Sequence, residues 1–213
     1  MTNLPAAAAL DRLRNGNRRF AAGAPRTDAG ADPARRLALA DGQSPFAIIL
    51  GCSDSRVPAE LVFDQGLGDL FVIRVAGNIV APSQIGSVEF AAEQFGTRLV
   101  VVLGHTRCGA IQATLDELGR PSTDQSRHLR SIVDRIRPAI EPLLATDLRR
   151  DPAALAAHAT RANIRAAANQ LRHGSDILEH LIAADGLWVV GAEYDLATGR
   201  VDFFDGAPGP TPG

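Results

Sequence analysis

Two apolar runs of equal length stand out in this chain, Phe46-Ala-Ile-Ile-Leu-Gly51 and Leu99-Val-Val-Val-Leu-Gly104. Neither run alternates apolar with polar residues, which is typical of strands that are buried on both faces. Helical patterns alternate with strand patterns from residue 46 to residue 118, and this order predicts a parallel sheet with right-handed crossovers. The sequence therefore predicts an α/β fold with a central, mostly parallel β-sheet flanked by helices.

The other predicted elements complete this sheet and its helical layers. An N-terminal helical arm precedes the sheet, and a C-terminal helical segment closes on the last strands. Further strands are predicted over residues 70–75, 188–194 and 201–204. Helices are predicted over residues 5–20, 34–40, 84–95, 108–118, 153–172 and 175–184, with another along Ile132, Ile136 and Ile140 that breaks near Pro138 and Pro142. We expect one domain over residues 1–207, with an arm over residues 1–22, and a disordered tail over residues 208–213.

The only two cysteines lie in compact polar motifs that directly follow the two apolar runs. Cys52-Ser-Asp-Ser-Arg56 follows the first run, and His105-Thr-Arg-Cys108 follows the second. Open α/β sheets keep their sites at the carboxyl ends of the strands, so the two motifs can share one metal ion. Thiolate and imidazole are the ligands that zinc prefers, whereas Mg²⁺ and Ca²⁺ prefer oxygen ligands. Cys108 also precedes a predicted helix, whose N-terminus favours a thiolate.

Asp54 and Arg56 alternate with serines in the first motif. An extended backbone directs both side chains to one side, where the arginine keeps the carboxylate ionised and fixes its direction. Blander interpretations of these motifs remain open at this point. The cysteines could be small buried hydrophobes or form one disulfide, and Asp54 could close a four-ligand structural zinc site.

The ordered set Cys-x-Asp-x-Arg and then His-x-x-Cys resembles the signature of the β-class carbonic anhydrases. The resemblance spans residues 4–205 and is dense over residues 43–112. It includes Val57-Pro-Ala-Glu60, Phe71-Val-Ile-Arg-Val-Ala-Gly-Asn78 and Gly86-Ser-Val-Glu-Phe90. It implies one zinc ion per subunit, held by Cys52, His105 and Cys108, with Asp54 and Arg56 as the catalytic dyad. The activity it implies is reversible hydration of carbon dioxide to bicarbonate and a proton by zinc-bound hydroxide.

The resemblance also places a small, largely apolar substrate pocket. Family positions that line this pocket fall on Gln43, Phe71, Ala76 and Phe90. Phe90 takes a place that is often tyrosine, and Gln94 takes one where plant enzymes carry histidine, so the proton-shuttle route stays unassigned.

Some relatives, the type II enzymes, are inhibited by bicarbonate at a second site that includes a tryptophan three residues before the first cysteine. Here that residue is Ile49, although Arg74 and Tyr194 resemble the other members of the site. We therefore expect a plant-like, type I site in which Asp54 stays off the zinc at neutral pH.

The family builds its active site across a dimer interface, with the N-terminal helix embracing the partner subunit. A stripe of Leu10, Leu13 and Phe20 on the first predicted helix is consistent with a helix that needs an external surface to cover it. We expect a homodimer or a homotetramer.

The same residues allow three alternative functions. The same zinc site could hydrolyse carbonyl sulfide or carbon disulfide, or it could be a structural zinc without turnover. A redox protein with a disulfide between Cys52 and Cys108 is disfavoured, because the two residues lack Cys-x-x-Cys spacing.

Composition narrows the class of protein further. A net charge of −2 and a pI near 6.2 argue against nucleic acid as the main partner. All 22 basic residues are arginine, which excludes chemistry that depends on lysine. No apolar run approaches the roughly 18 residues of a membrane span, and the start does not resemble a signal peptide. Two cysteines kept as thiolates fit a reducing cytoplasm, where we expect the protein.

Overall fold

The centre of the molecule is a five-stranded sheet with the strand order β2-β1-β3-β4-β5. A computed structural model of the chain describes residues 4–26, 32–119 and 126–208. Strands β1 to β4 run parallel, and β5 runs antiparallel to β4 at one edge. The strands are β1 (Ala47–Gly51), β2 (Leu70–Arg74), β3 (Leu99–His105), β4 (Trp188–Tyr194) and β5 (Val201–Asp205). The predicted mostly parallel sheet is therefore confirmed.

Strands β1 and β3 are neighbours in the middle of the sheet, and every residue of both is buried. Ile48 lies opposite Val100, and Gly51 lies opposite Leu103. Because the two strands are parallel, their carboxyl ends reach the same edge of the sheet. Both polar motifs therefore begin side by side.

Eight α-helices flank the sheet in the described part of the chain. They are α1 (Ala6–Ala21), α2 (Pro33–Ala38), α3 (Ala59–Val62), α4 (Pro82–Gln94), α5 (Gly109–Gly119), α6 (Arg127–Ile140), α7 (Pro152–His173) and α8 (Asp176–Ala184). The described residues also form short 3₁₀ turns: Ala76–Asn78 lies between β2 and α4, and Glu141–Ala145 and Asp147–Arg150 lie between α6 and α7.

Alternating side chains of the central strands supply two apolar layers, one on each face of the sheet. Ile49 and Val101 pack on one face with residues of α1 and α3, whereas Ile48 and Val100 pack on the other with residues of α4, α7 and α8. A third apolar cluster covers the carboxyl edge of the sheet and contains both cysteines. The two layers explain why the strands are apolar throughout.

The stripe on α1 is covered by its own chain, which corrects the expectation that it needs an external surface. Leu10 and Leu13 are 1% and 0% exposed and belong to the cluster on the α3 face of the sheet, and Phe20 is half-buried against that cluster. Asn17 adds buried polar contacts, because its side-chain amide donates to the carbonyl oxygens of Val62 and Gly199. Helix α1 is therefore an integral part of the core.

Leu13→Ala is expected to destabilise the fold by about 2–5 kcal/mol, because it leaves a cavity where α1 meets the sheet. Chemical denaturation monitored by circular dichroism measures the change, with Leu37→Ala as the matched control. Leu37 is 78% exposed, so its truncation should change the free energy of unfolding by less than about 0.5 kcal/mol. Equal effects of the two substitutions would show that α1 does not pack as described.

Two helical details differ from the predictions. Helix α6 continues through Pro138 to Ile140, so the predicted break at Pro138 is wrong, whereas Pro142 does lie beyond the helix in a 3₁₀ turn. Ile136 and Ile140 are fully buried on either side of Pro138, and this packing holds the last turn despite the missing backbone donor. Helix α3 was not predicted, because four residues carry no readable period.

Of the predicted disordered tail, residues 209–213 lie outside the described residues. The carbonyl of Pro208 accepts a hydrogen bond from Arg14 of α1. Within the described ranges, no helix is both long enough and apolar enough to cross a membrane.

Candidate active site

A cluster of one imidazole and two thiols lies at the carboxyl edge of the sheet, beyond β1 and β3. The ligand atoms of Cys52, His105 and Cys108 all lie within 4.8 Å of one another, and all three residues are buried. Both cysteines are free thiols. The fold thus brings together the three residues that the resemblance implied as zinc ligands.

Local structure explains how residues from two motifs converge. Cys52 directly follows β1, His105 ends β3, and Cys108 directly precedes α5. Between the last two, Arg107 adopts a left-handed conformation with φ of 55°, which turns the chain back over the sheet edge. A non-glycine residue in this region costs on the order of 1 kcal/mol, so the surrounding structure must hold the turn in place.

The hydrogen bonding of His105 fixes which ring nitrogen is free. Nδ1 lies 2.9 Å from the carbonyl oxygen of Thr106, so Nδ1 carries the proton and donates it to that oxygen. Nε2 is buried and has no hydrogen-bond partner among the described residues. A neutral imidazole in this tautomer presents an unused lone pair toward the two thiols, as metal-binding histidines do.

The two thiols have strongly different proton affinities. A hydrogen bond from Cys108 lowers the pKa of Cys52 to about 4, despite the opposing effect of burial. The same contact and burial raise the pKa of Cys108. For His105, burial opposes protonation, but the nearby Cys52 thiolate and Asp54 carboxylate raise its pKa overall. The cluster therefore concentrates negative charge around a buried position, and a cation would displace its remaining protons.

These features fit a zinc ion. Two thiols and an imidazole form a soft donor set, which selects zinc over Mg²⁺ and Ca²⁺. Nε2 of His105, which has no hydrogen-bond partner within the described ranges, would otherwise be a costly buried polar atom. A zinc ion held by these three protein ligands would keep one coordination position for water or substrate, as catalytic rather than structural zinc sites do.

Asp54 and Arg56 form a bidentate ion pair beside the cluster. Arg56 Nε and Nη2 lie 2.9 and 2.7 Å from the two carboxylate oxygens of Asp54, and the backbone N–H of Arg56 donates to Oδ1 at 2.9 Å. The side-chain hydrogen bond to Arg56 is the largest cause that holds the pKa of Asp54 far below its usual range. Oδ2 of Asp54 also lies 3.8 Å from Nε2 of His105. An ionised, oriented carboxylate thus faces the free nitrogen of the cluster.

Arg74 holds the backbone of the first motif. Its guanidinium donates to the carbonyl oxygens of Cys52 at 3.0 Å and of Asp54 at 2.6 Å. Two other residues were compared above with the second bicarbonate site of the type II enzymes. Ile49 is fully buried inside the sheet. Tyr194 is also buried, and this burial raises its pKa. In this arrangement Arg74 orders the motif loop, and its donors point at backbone carbonyls.

The four expected pocket residues are not all near the cluster within one chain. Ala76 precedes Gly77, whose N–H contacts Cys52. Phe71 lies opposite Ile48, four residues before Cys52 and so roughly 13 Å away along the strand direction at about 3.3 Å per residue. Phe90 is 51% exposed and packs on Phe71 and Phe95. Gln43 is exposed and precedes β1, so it lies toward the amino ends of the parallel strands, away from the cluster at their carboxyl ends.

Open space also adjoins the cluster. A cavity of about 540 Å³ lies between the start of α5 and the first half of α7, and Cys108 is among the residues that line it. Small molecules therefore have room beside one of the three ligand residues.

Comparison with known proteins agrees with the α/β fold and gives the family. A family model described as carbonic anhydrase matches residues 47–201. A carbonic anhydrase of Mycolicibacterium smegmatis is 39% identical over 203 residues, which cover 95% of each protein. Carbonic anhydrase 2 of Mycobacterium tuberculosis is 38% identical over 200 residues, which cover 94% of this chain and 93% of that protein.

Solved structures show the same similarity in three dimensions. The β-carbonic anhydrase CafA of Aspergillus fumigatus has a TM-score of 0.73 and 27% identity, and the match covers 95% of this chain and 91% of that one. A tetrameric β-carbonic anhydrase of Sordaria macrospora shares the fold, with a TM-score of 0.72, 24% identity, and 92% and 96% of the two chains covered. The chain belongs to the β-class carbonic anhydrase family, a class of enzymes.

Proposed function

We propose that the protein catalyses reversible hydration of carbon dioxide to bicarbonate and a proton, with one zinc ion held by Cys52, His105 and Cys108. The observation that carries this proposal is the buried cluster itself: three ligand atoms within 4.8 Å, one of them an imidazole nitrogen without a hydrogen-bond partner in the described structure. Membership of the family supports the same substrate and the same metal.

Zinc, when bound, would lower the pKa of a coordinated water to about 7 and so supply a nucleophile at neutral pH. The residues of this chain contribute orientation and charge. Asp54, ionised and held by Arg56, accepts a hydrogen bond at a carboxylate oxygen beside the cluster. Arg56 fixes the direction of that carboxylate, and Arg74 fixes the backbone that carries it.

The bidentate pairing favours an open site at neutral pH. Both oxygens of Asp54 are already engaged by Arg56, so turning the carboxylate onto a metal would break two charge-assisted hydrogen bonds. This geometry argues against Asp54 as a fourth protein ligand, and therefore against a purely structural zinc.

Arg56→Ala is expected to release Asp54 and to lower turnover, while zinc stays bound at about one ion per chain. The free carboxylate should then compete for the fourth coordination position, because nothing else orients it. The measurement is a crystal structure of the zinc-loaded variant near pH 7.5, beside wild type. Asp54 on the zinc in wild type at that pH would contradict the proposed open site.

We further propose that the substrate pocket is completed by a second copy of the chain. Gln43, Phe71 and Phe90 lie away from the cluster of their own chain, and Phe90 presents a half-exposed ring next to Phe71. A partner could bring these residues to the cluster, with Ala76 supplied in the same chain. The tetrameric relative from Sordaria macrospora supports assembly of this kind, and we infer a homodimer or a homotetramer. We also propose a cytoplasmic location, because two cysteines kept as free thiols fit a reducing compartment.

The direct test is a zinc titration of the chelated apoprotein, followed by stopped-flow assay of carbon dioxide hydration. Hydration should rise linearly with added zinc and reach its maximum at about one equivalent per chain. Parallel assays with carbonyl sulfide and carbon disulfide test the nearest alternative. Zinc uptake without carbon dioxide turnover would refute the proposal. It would indicate either hydrolysis of carbonyl sulfide or carbon disulfide, or a structural zinc.

A further inference from the structure

One buried amide side chain links helix α7 to the cluster of Cys52, His105 and Cys108. Asn163, 3% exposed in the middle of α7, donates from Nδ2 to the carbonyl oxygen of Gly77 at 2.8 Å. The backbone N–H of Gly77 in turn donates to the Sγ atom of Cys52 at 3.4 Å. A relay of two hydrogen bonds therefore connects the helix to a sulfur atom that the proposed function places on zinc.

The turn that carries Gly77 depends on such support. Gly77 has φ of 71° and Asn78 has φ of 43°, so two successive residues adopt the left-handed conformation. Glycine gains no conformational preference from a side chain, and its flanking peptide planes rotate more freely than those of other residues. The hydrogen bond from Asn163 fixes the carbonyl on one side of Gly77, and this restricts the direction of the N–H on the other side.

Close packing around Gly77 also restricts the position of this turn. A Cβ atom on Gly77 would lie 2.8 Å from Cδ1 of Ile136 and 3.0 Å from Cβ of Ala110. The next residue of α7, Ile164, packs in the same way against β3, because a Cβ on Gly104 would lie 2.5 Å from its Cδ1. One turn of α7 thus braces the segment beside Cys52 and the residue that precedes His105.

We propose that Asn163 is a positioning residue of the metal site: it holds the Gly77 turn so that the Gly77 N–H donates to the Cys52 sulfur. The donated hydrogen bond orients the sulfur, as outer-shell groups do at other metal sites, and it withdraws negative charge from the sulfur. This inference rests on the proposed metal site but not on the reaction that the site performs.

The test replaces Asn163 and follows the metal rather than turnover. Asn163→Leu keeps the branched shape and the number of side-chain heavy atoms but has no donor, and Asn163→Ala serves if the larger leucine is not accommodated and the variant does not fold. The matched control is Thr160→Val: Thr160 is buried one turn earlier on α7, and its hydroxyl donates within the helix to Ala156. Circular dichroism of each chelated apoprotein establishes that the variants are folded.

Two readouts distinguish positioning from general support of the fold. Chelator competition should show zinc affinity lowered roughly 10–100-fold in the Asn163 variants and changed less than about twofold in Thr160→Val. In the cobalt-loaded proteins, the sulfur-to-cobalt charge-transfer band should move to lower energy only in the Asn163 variants. The sulfur that has lost its hydrogen bond carries more negative charge and therefore transfers an electron to cobalt more easily.

Lower thermal stability with unchanged zinc affinity and an unmoved cobalt band would overturn the inference and leave Asn163 a structural residue. Wild-type protein that binds zinc tightly without hydrating carbon dioxide would refute the proposed function, yet the comparison of metal affinities would still decide the role of Asn163. Wild-type protein that binds neither metal would overturn both.

Discussion

Cys108→Ser is expected to abolish retention of zinc and, with it, hydration of carbon dioxide. The serine hydroxyl is a much poorer zinc ligand than a thiolate, and the helix that follows Cys108 holds position 108 in place. Loss of a direct ligand should lower zinc affinity by more than the roughly 10–100-fold that outer-shell changes cost. Metal analysis after dialysis, combined with a hydration assay, measures both effects.

A suitable control is Thr114→Ser on the same helix. Thr114 is buried, and its hydroxyl donates to the carbonyl of Ala110, a bond that serine can keep. This control should hold about one zinc per chain with wild-type turnover. Full zinc occupancy in Cys108→Ser would show that the proposed ligand set is wrong, whatever the activity.

Asp54→Asn is expected to separate metal binding from catalysis. Asparagine has the size of aspartate but lacks the negative charge that accepts and orients a hydrogen bond beside the cluster, so turnover should fall by roughly 10²–10³-fold while about one zinc per chain remains bound. The amide also cannot form two charge-assisted hydrogen bonds with Arg56. Asp116→Asn, an exposed carboxylate on α5 that bonds Gln112, should leave turnover unchanged.

The pH dependence follows from the lowered pKa of Asp54. A carboxyl group whose folded pKa lies below its usual value of about 3.9 is ionised at every pH above that value. Between about pH 5 and pH 9, therefore, Asp54 does not titrate, and Asp54→Asn should lower turnover by a similar factor throughout. A defect that disappeared at the acidic end of this range, where a carboxyl group of higher pKa would be protonated in the wild type as well, would contradict an ionised Asp54 held by Arg56.

Much of the fold could be predicted because its strongest local signals agree with its tertiary structure. The apolar runs at β1 and β3 are buried on both faces, and the alternation of strands and helices indicates a parallel sheet. Local rules were insufficient where packing decides the outcome. Pro138 stays inside α6 because the isoleucines around it are buried. The apolar face of α1 packs against the core of its own chain.

The candidate site could be predicted to the level of its polar motifs. His105 ends β3, and Cys52 and Cys108 lie just beyond β1 and β3, so the topology brings all three to the carboxyl edge of the sheet. The support from Gly77 and Asn163 carried no comparable signal, because their contact joins residues 86 positions apart and depends on the docking of α7. Gln43, Phe71 and Phe90 lie away from the cluster of their own chain, so their proposed role in the pocket requires a second copy of the chain.

The most direct test of the central claim is oxygen-18 exchange between carbon dioxide and water, followed by mass spectrometry at chemical equilibrium. This measurement detects reversible hydration itself and needs neither an indicator nor a pH change. Zinc-loaded protein at pH 7.5 should deplete the label far faster than the buffer does, and the chelated protein or Cys108→Ser should match the buffer. A fully zinc-loaded, folded protein that exchanges label no faster than buffer would contradict the account.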